Sequence, residues 1–151
     1  MKKITKKMSV YLVDDDADDR MIFTRAIAEV AENCSLVAFT SGQQLIDTLR
    51  APEARRERPD VIFLDINMPV ITGLEALGVL RTELMLHSLP IAMYSTSNLE
   101  TDISQALVAG ANLYISKPNN FNDLTGILTR ALNAIIRYDN SCDYRTFMMS
   151  I

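Results

Sequence analysis

A three-layer α/β fold is what the sequence predicts, and three observations carry that prediction. Five short apolar runs recur along the chain. Each is followed by a stretch whose apolar residues return at helical spacing. Strand-then-helix units in succession imply a parallel sheet with helices on both faces, because every parallel return needs a crossover of about a dozen residues.

The five runs, in order, are Ser9 to Val13, Ser35 to Phe39, Val61 to Leu64, Ile91 to Tyr94 and Asn112 to Ile115. They are four or five residues long and mostly β-branched, aromatic or aliphatic, as buried strands are. The helical patterns between them are Ala17 to Glu32 (with Ile22, Ala26 and Val30 on one face), Gln43 to Arg50, Gly73 to Leu84, Glu100 to Ala109 and Phe121 to Ile136. Ser41 or Gly42 begins the second helix, and Gly110 suits the C-terminal cap of the fourth. Arg50 to Asp60 reads as an exposed charged loop, and Tyr138 onward as a tail beyond the last unit.

With 151 residues and 48% hydrophobic content, the chain has the size and the core of one domain. We expect that domain over 1–137 and a C-terminal tail over 138–151, with no separate output domain. The net charge of −4 and the scattered lysines and arginines offer no basic stripe, so no nucleic acid partner is expected. The opening MKKITKKM resembles the positive region of a signal peptide, but the apolar run after it breaks at Asp14. No run approaches a membrane span of about 20 residues, so no membrane partner is expected either. Cys34 and Cys142 stand far apart without metal-ligand spacing, which fits reduced thiols in a cytoplasmic protein.

In open α/β sheets ligands bind at the carboxyl ends of the strands, so the residues after each apolar run are the informative ones. Strand one ends in Asp14, Asp15 and Asp16, strand three in Asp65, strand four in Ser95, and strand five in Ser116 and Lys117. If strands one and three are neighbours, the carboxylates of Asp14, Asp15 and Asp65 converge. At about 4 Å and an effective dielectric near 20, each like-charge pair costs about 4 kcal/mol. A cation relieves that cost, and Mg²⁺ suits it, because it takes one or two carboxylates and completes its shell with water and phosphate oxygens. Lys117 would bring a positive charge to a phosphoryl oxygen, Ser95 a hydrogen bond to another, and the remaining carboxylate would be a nucleophile.

Each residue also has a plainer reading. Asp16 or Asp18 caps the first helix equally well, with Asp19 complementing its dipole. Asp65 suits a turn before Asn67-Met68-Pro69, Ser95 a loop hydroxyl, Lys117-Pro118 a solvated turn, and Tyr114 a core aromatic. It is the joint occurrence at four strand ends that indicates a site. His87 reads as a surface residue, and Met8, Met68, Met93 and the tail methionines Met148 and Met149 as packing residues.

From about Ser9 to Arg137 the sequence closely resembles the receiver domains of two-component response regulators. VYLVDDDADDR resembles their acidic-pair segment, FLDINMPVITG their phosphoacceptor loop, and ISKPNN their Lys-Pro segment. Ser95 lies 22 positions before Lys117 and Tyr114 three before it, as the family's switch residues do. The resemblance implies a flavodoxin-like, doubly wound, five-stranded sheet of order 2-1-3-4-5. It implies Asp65 as phosphoacceptor, and Mg²⁺ held by Asp14, Asp15, Asp65 and the main-chain carbonyl of Asn67, with Asp15 the direct ligand of the acidic pair. It implies Ser95, Thr96, Tyr114 and Lys117 as phosphate-binding and switch residues, and a cis bond before Pro118. A phosphoryl group would come from a histidine kinase or phosphotransfer protein. Ser95 would be drawn toward it, Tyr114 would turn inward behind it, and a downstream protein target would read the changed surface. The chain would then be a phosphoacceptor that assists its own chemistry, not an enzyme.

The departures are specific. Thr96 stands where most members carry Ala or Gly, Asn119 and Asn120 replace the Phe that often follows Lys-Pro, and the loop Arg50 to Asp60 is long. The tail ends in Phe147, Met148, Met149 and Ile151, apolar enough to pack on its own domain or on a partner subunit, so a homodimer is one reading. Three alternatives are weaker. A phosphatase of the haloacid dehalogenase type needs an Asp-x-Asp that Asn67 breaks. A pseudo-receiver would not keep Asp14, Asp15, Asp65 and Lys117 together. A flavin binder would not place an acidic run after strand one.

Overall fold

The computed structural model describes residues 2–55, 57–137 and 148–149. Its strands are β1 (Met8–Val13), β2 (Cys34–Phe39), β3 (Val61–Leu64), β4 (Ile91–Ser95) and β5 (Leu113–Ser116), with a short β6 (Met148–Met149). The helices are α1 (Ala17–Val30), α2 (Gly42–Arg50), α3 (Gly73–Gly78), α4 (Glu100–Ala109) and α5 (Phe121–Ile136).

All pairings are parallel and the strand order is 2-1-3-4-5-6. The order predicted for the first five strands therefore holds, and the sheet gains a sixth. In β6, Met148 pairs with Tyr114 and Met149 with Ile115, so the described part of the tail lies on the domain's own sheet. The rest of the tail, Cys142 included, lies outside the described residues.

The sheet separates two apolar layers. On one face Phe23, Ala26, Ile27 and Val30 of α1 and Leu124, Ile127, Leu128, Ala131 and Leu132 of α5 pack on Val10, Leu12, Phe63 and Ile115. On the other, α2, α3 and α4 cover Val13, Ile62, Leu64, Met93 and Tyr114. The buried stripe of α1 thus runs through Phe23 and Ile27, and Ile22, expected on it, is 40% exposed. Spacing of three and four residues permits either stripe, and packing selects the one with the larger aromatic, whose ring meets Phe63 and Tyr94 edge-on at 5.0 and 5.3 Å. β2 is likewise less buried than predicted: it lies at the sheet edge, and Ser35, Val37 and Ala38 are exposed.

Ser41 caps α2 by accepting from the Gln44 amide, and Gly110 ends α4 in the left-handed conformation at φ 103°. The helix predicted over Gly73 to Leu84 changes pitch at Val79, where a π-turn carries the chain to Glu83. That turn contains Arg81, buried and saturated by carbonyls: its guanidinium donates to Gly110 O at 2.8 Å, to Leu89 O at 2.7 Å and to Leu86 O. It also reaches Asn112 Oδ1 at 2.9 Å, so one side chain joins the end of α3 to the α4–β5 turn. Within Arg50 to Asp60, a 3-10 turn covers Pro52–Arg55. Among the described residues no helix is long and apolar enough to cross a membrane.

Candidate functional site

The strand registers bring the polar ends together. β1 lies between β2 and β3, with Val13 opposite Leu64, so Asp14 and Asp65 leave the sheet side by side. Asp14 and Asp65 are buried, Asp15 is exposed, and one carboxylate oxygen from each lies within 4.8 Å of the others. This is the convergence expected from the sequence. Three hard oxygen donors at one point fit the preference of Mg²⁺ for carboxylates, and the exposed Asp15 leaves room for water in its shell. Asn67 follows two residues after Asp65, donating its amide to Asp65 Oδ1 at 3.3 Å.

Lys117 reaches the cluster from the end of β5. Its ammonium donates to Asp14 Oδ2 at 2.7 Å, to Asp19 Oδ2 at 2.9 Å and to Asp65 Oδ2 at 3.2 Å, using all three donors. Burial would lower the pKa of this lysine, but the hydrogen bonds to Asp14 and Asp19 and the charge of Asp65 outweigh it and hold the ammonium above its usual range. Asp65 is pushed up from the ordinary carboxylate range by burial and by Asp14, against the pull of Lys117.

Two members of this cluster escape a reading by strand ends. Asp19 sits in the first turn of α1; Asp16 caps that helix by accepting the Asp19 amide at 3.0 Å, and the Asp19 carboxylate reaches Lys117. The signal was in DDDADDR: a side chain at the third helical position leans back over the cap, toward the strand end. Tyr94 is the other. Its ring lies 5.2 Å from the Lys117 ammonium, a cation–π distance, on the face opposite Tyr114. Arg20 adds a bond to the main-chain oxygen of Asp14 at 2.8 Å.

Ser95 is fully buried at the end of β4, and its hydroxyl accepts the Ser97 amide at 3.2 Å; Thr96 beside it is exposed. Tyr114 lies inward, fully buried, and donates to Ser97 O at 2.7 Å. His87 is exposed, while Met8, Met68 and Met93 are buried, as expected. The cis bond expected before Pro118 is not found: the Lys117–Pro118 peptide is trans. Trans is favoured by about 0.5 to 1 kcal/mol at such bonds, and here it coexists with the Lys117 amide bond to Ser95 O at 2.8 Å and the Asn120 cap of α5.

The loop after Asp65 carries strain. Val70 has φ 69° and is 96% exposed, a β-branched residue in the left-handed region with nothing packed on it to compensate. Such a conformation costs about 1 to 3 kcal/mol, partly offset in a glycine variant by greater unfolded-chain freedom. Val70→Gly should therefore raise the stability by about 1 kcal/mol, read as a higher urea midpoint with an unchanged slope. An unchanged or lower midpoint would mean that the valine conformation is relaxed.

Comparison with known proteins gives a uniform result. The family model of the response regulator receiver domain matches residues 10–129. The chain is 41% identical over 120 residues to a protein-glutamate methylesterase/protein-glutamine glutaminase of Rhodospirillum centenum, covering 78% of this chain but only 28% of that protein. A probable methanogenesis regulatory protein of Methanothrix harundinacea is 28% identical over 116 residues, 76% of this chain and 75% of the other. Among solved structures, the phosphorylated cyanobacterial phytochrome response regulator RcpA superposes with a TM-score of 0.78 at 28% identity, over 87% of this chain and 96% of that one. The response regulator domain of Thermotoga maritima CheB gives 0.72 at 26% identity, over 89% and 99%.

Proposed function

Because the chain belongs to the receiver-domain family of two-component response regulators, we propose that Asp65 accepts a phosphoryl group from a phosphohistidine on a histidine kinase or phosphotransfer protein, and that the modified domain signals through a changed protein-binding surface. The observation that carries this reading is the convergence of Asp14, Asp15 and Asp65 with the Lys117 ammonium at one end of the sheet.

In the step itself, a carboxylate oxygen of Asp65 attacks phosphorus, a P–O bond forms and the P–N bond to the donor imidazole breaks, its electron pair leaving with the imidazole nitrogen. Asp14, Asp15, Asp65 and the main-chain carbonyl of Asn67 would hold Mg²⁺, which when bound supplies charge neutralisation to the phosphoryl oxygens. Lys117 offers its ammonium to one of those oxygens, and the buried Ser95 hydroxyl is the donor for another. Thr96, exposed beside Ser95, borders the approach and sets which donors fit. The chain acts here as a phosphoacceptor and not as an enzyme turning over a separate substrate.

The signal is a shift in population. The phosphoryl group favours the arrangement with Ser95 drawn in and Tyr114 inward only by the difference in its contacts between the two states. Residues 1–137 form the receiver in this reading, and 138–151 a tail and not an output domain.

Asp15 separates metal binding from nucleophilicity. Asp15→Ala removes a hard oxygen ligand and leaves Asp65 in place, so Mg²⁺ affinity and the rate of Asp65 phosphorylation should fall together, each by about tenfold or more. Titration monitored by fluorescence or NMR checks the first and phosphate uptake the second. Unchanged Mg²⁺ affinity would place the cation on other residues.

A further inference from the structure

Asp19 is the acid at this site whose role neither the strand ends nor the three-carboxylate group explains. Its oxygens fall outside the set within 4.8 Å of one another, yet it holds the Lys117 ammonium at 2.9 Å, closer than Asp65 does. All three ammonium donors are engaged, by Asp14, Asp19 and Asp65. Two of those acceptors belong to the metal-ligating group, so a cation bound there competes with Lys117 for them. Asp19 is the acceptor that remains.

We propose that Asp19 is a positioning residue for phosphoryl transfer, anchoring Lys117 over Asp65 when Asp14 and Asp65 turn to the metal; this rests on the reading of Asp65 as phosphoacceptor. Lysine is a point charge on a flexible stem, and an ammonium must be fixed to meet a phosphoryl oxygen at the moment of transfer. The Tyr94 ring, 5.2 Å away, bounds Lys117 on one side and the Asp19 carboxylate draws it from another. Asp19 itself is held by its place on α1, where its own amide closes the Asp16 cap. Its side chain is 37% exposed, against 8% for Lys117, so removing it opens no core. Asp19 is therefore part of how the lysine is aimed, and is neither the attacking carboxylate nor one of the three that converge.

The test compares full-length wild type, Asp19→Ala, Asp19→Asn, Lys117→Ala and the double variant Asp19→Ala/Lys117→Ala, each incubated with Mg²⁺ and phosphoramidate. Asp19→Ala should take up phosphate roughly tenfold more slowly with its Mg²⁺ Kd within about twofold of wild type. Asp19→Asn, which keeps an oxygen acceptor, should recover most of the rate. In the Lys117→Ala background, Asp19→Ala should have no further effect, since the residue it positions is gone. A wild-type rate in Asp19→Ala, a tenfold change in its Mg²⁺ Kd, failure of Asp19→Asn to recover, or an undiminished effect without Lys117 would each overturn the proposal. A wild-type protein that takes up no phosphate from phosphoramidate, acetyl phosphate or a phosphorylated histidine kinase would instead overturn the assignment of Asp65, and this inference with it.

Discussion

Asp65→Asn should take up no phosphate from any donor while folding as the wild type does. The amide is nearly isosteric with the carboxylate, but its oxygen is a poor nucleophile and it carries no charge to hold a cation. The variant should also be no less stable. Burial and Asp14 together push the Asp65 carboxyl up, so the native state holds that charge at a cost, and a neutral group of the same shape is relieved of it. The sign follows from linkage. A carboxyl with a raised native pKa loses native stability as pH rises from the unfolded value through the native one, and the amide has no such loss. Above that window the melting temperature of Asp65→Asn should equal or exceed that of the wild type in the absence of Mg²⁺. Phosphate uptake at the wild-type rate would remove Asp65 from the chemistry, and a large drop in melting temperature would show that the Lys117 ion pair outweighs the burial cost.

Gly73→Ala should have a large effect although it leaves every polar residue untouched. A Cβ on Gly73 would lie 2.0 Å from the Asp65 carbonyl oxygen, 2.7 Å from its carbon and 2.8 Å from the Ile66 Cα. All three are backbone atoms, in a turn already fixed by the Gly73 amide bond to Ile66 O at 2.9 Å, so none can move aside as a side chain would. The start of α3 must shift away from the Asp65 loop, at about 3 kcal/mol, and the carboxylate shifts with it. The expected result is a lower urea midpoint together with weaker Mg²⁺ binding and slower phosphorylation. Gly78→Ala is the matched control. It lies in the same helix with nothing within 4 Å of its Cβ, and should be neutral or stabilising by up to about 1 kcal/mol. Equal effects at the two glycines would mean that helix propensity and not the contact with Asp65 decides.

The parallel sheet and the gathering of Asp14, Asp15, Asp65 and Lys117 were legible because both follow from local pattern: apolar runs of strand length, and polar residues at their carboxyl ends. What local pattern omits is what neighbours decide. The buried stripe of α1 passes through Phe23 because Phe63 and Tyr94 wait beneath it, and nothing within α1 itself distinguishes that stripe from one through Ile22. The π-turn at Val79 accompanies Arg81 reaching carbonyls in two distant turns, contacts that involve residues up to 31 positions away. Asp19 looked like a helix-dipole residue because its partner, Lys117, is 98 residues further on. β6 was hidden for another reason: a two-residue strand has no periodicity to read.

The most direct test of Asp65 as phosphoacceptor is intact-mass and peptide-level mass spectrometry of the wild-type chain after incubation with Mg²⁺ and, in parallel, phosphoramidate, acetyl phosphate or a phosphorylated histidine kinase. A single added phosphoryl group is expected, dependent on Mg²⁺ and located on Asp65. No uptake from any of these donors, or a phosphoryl group on another residue, would contradict it.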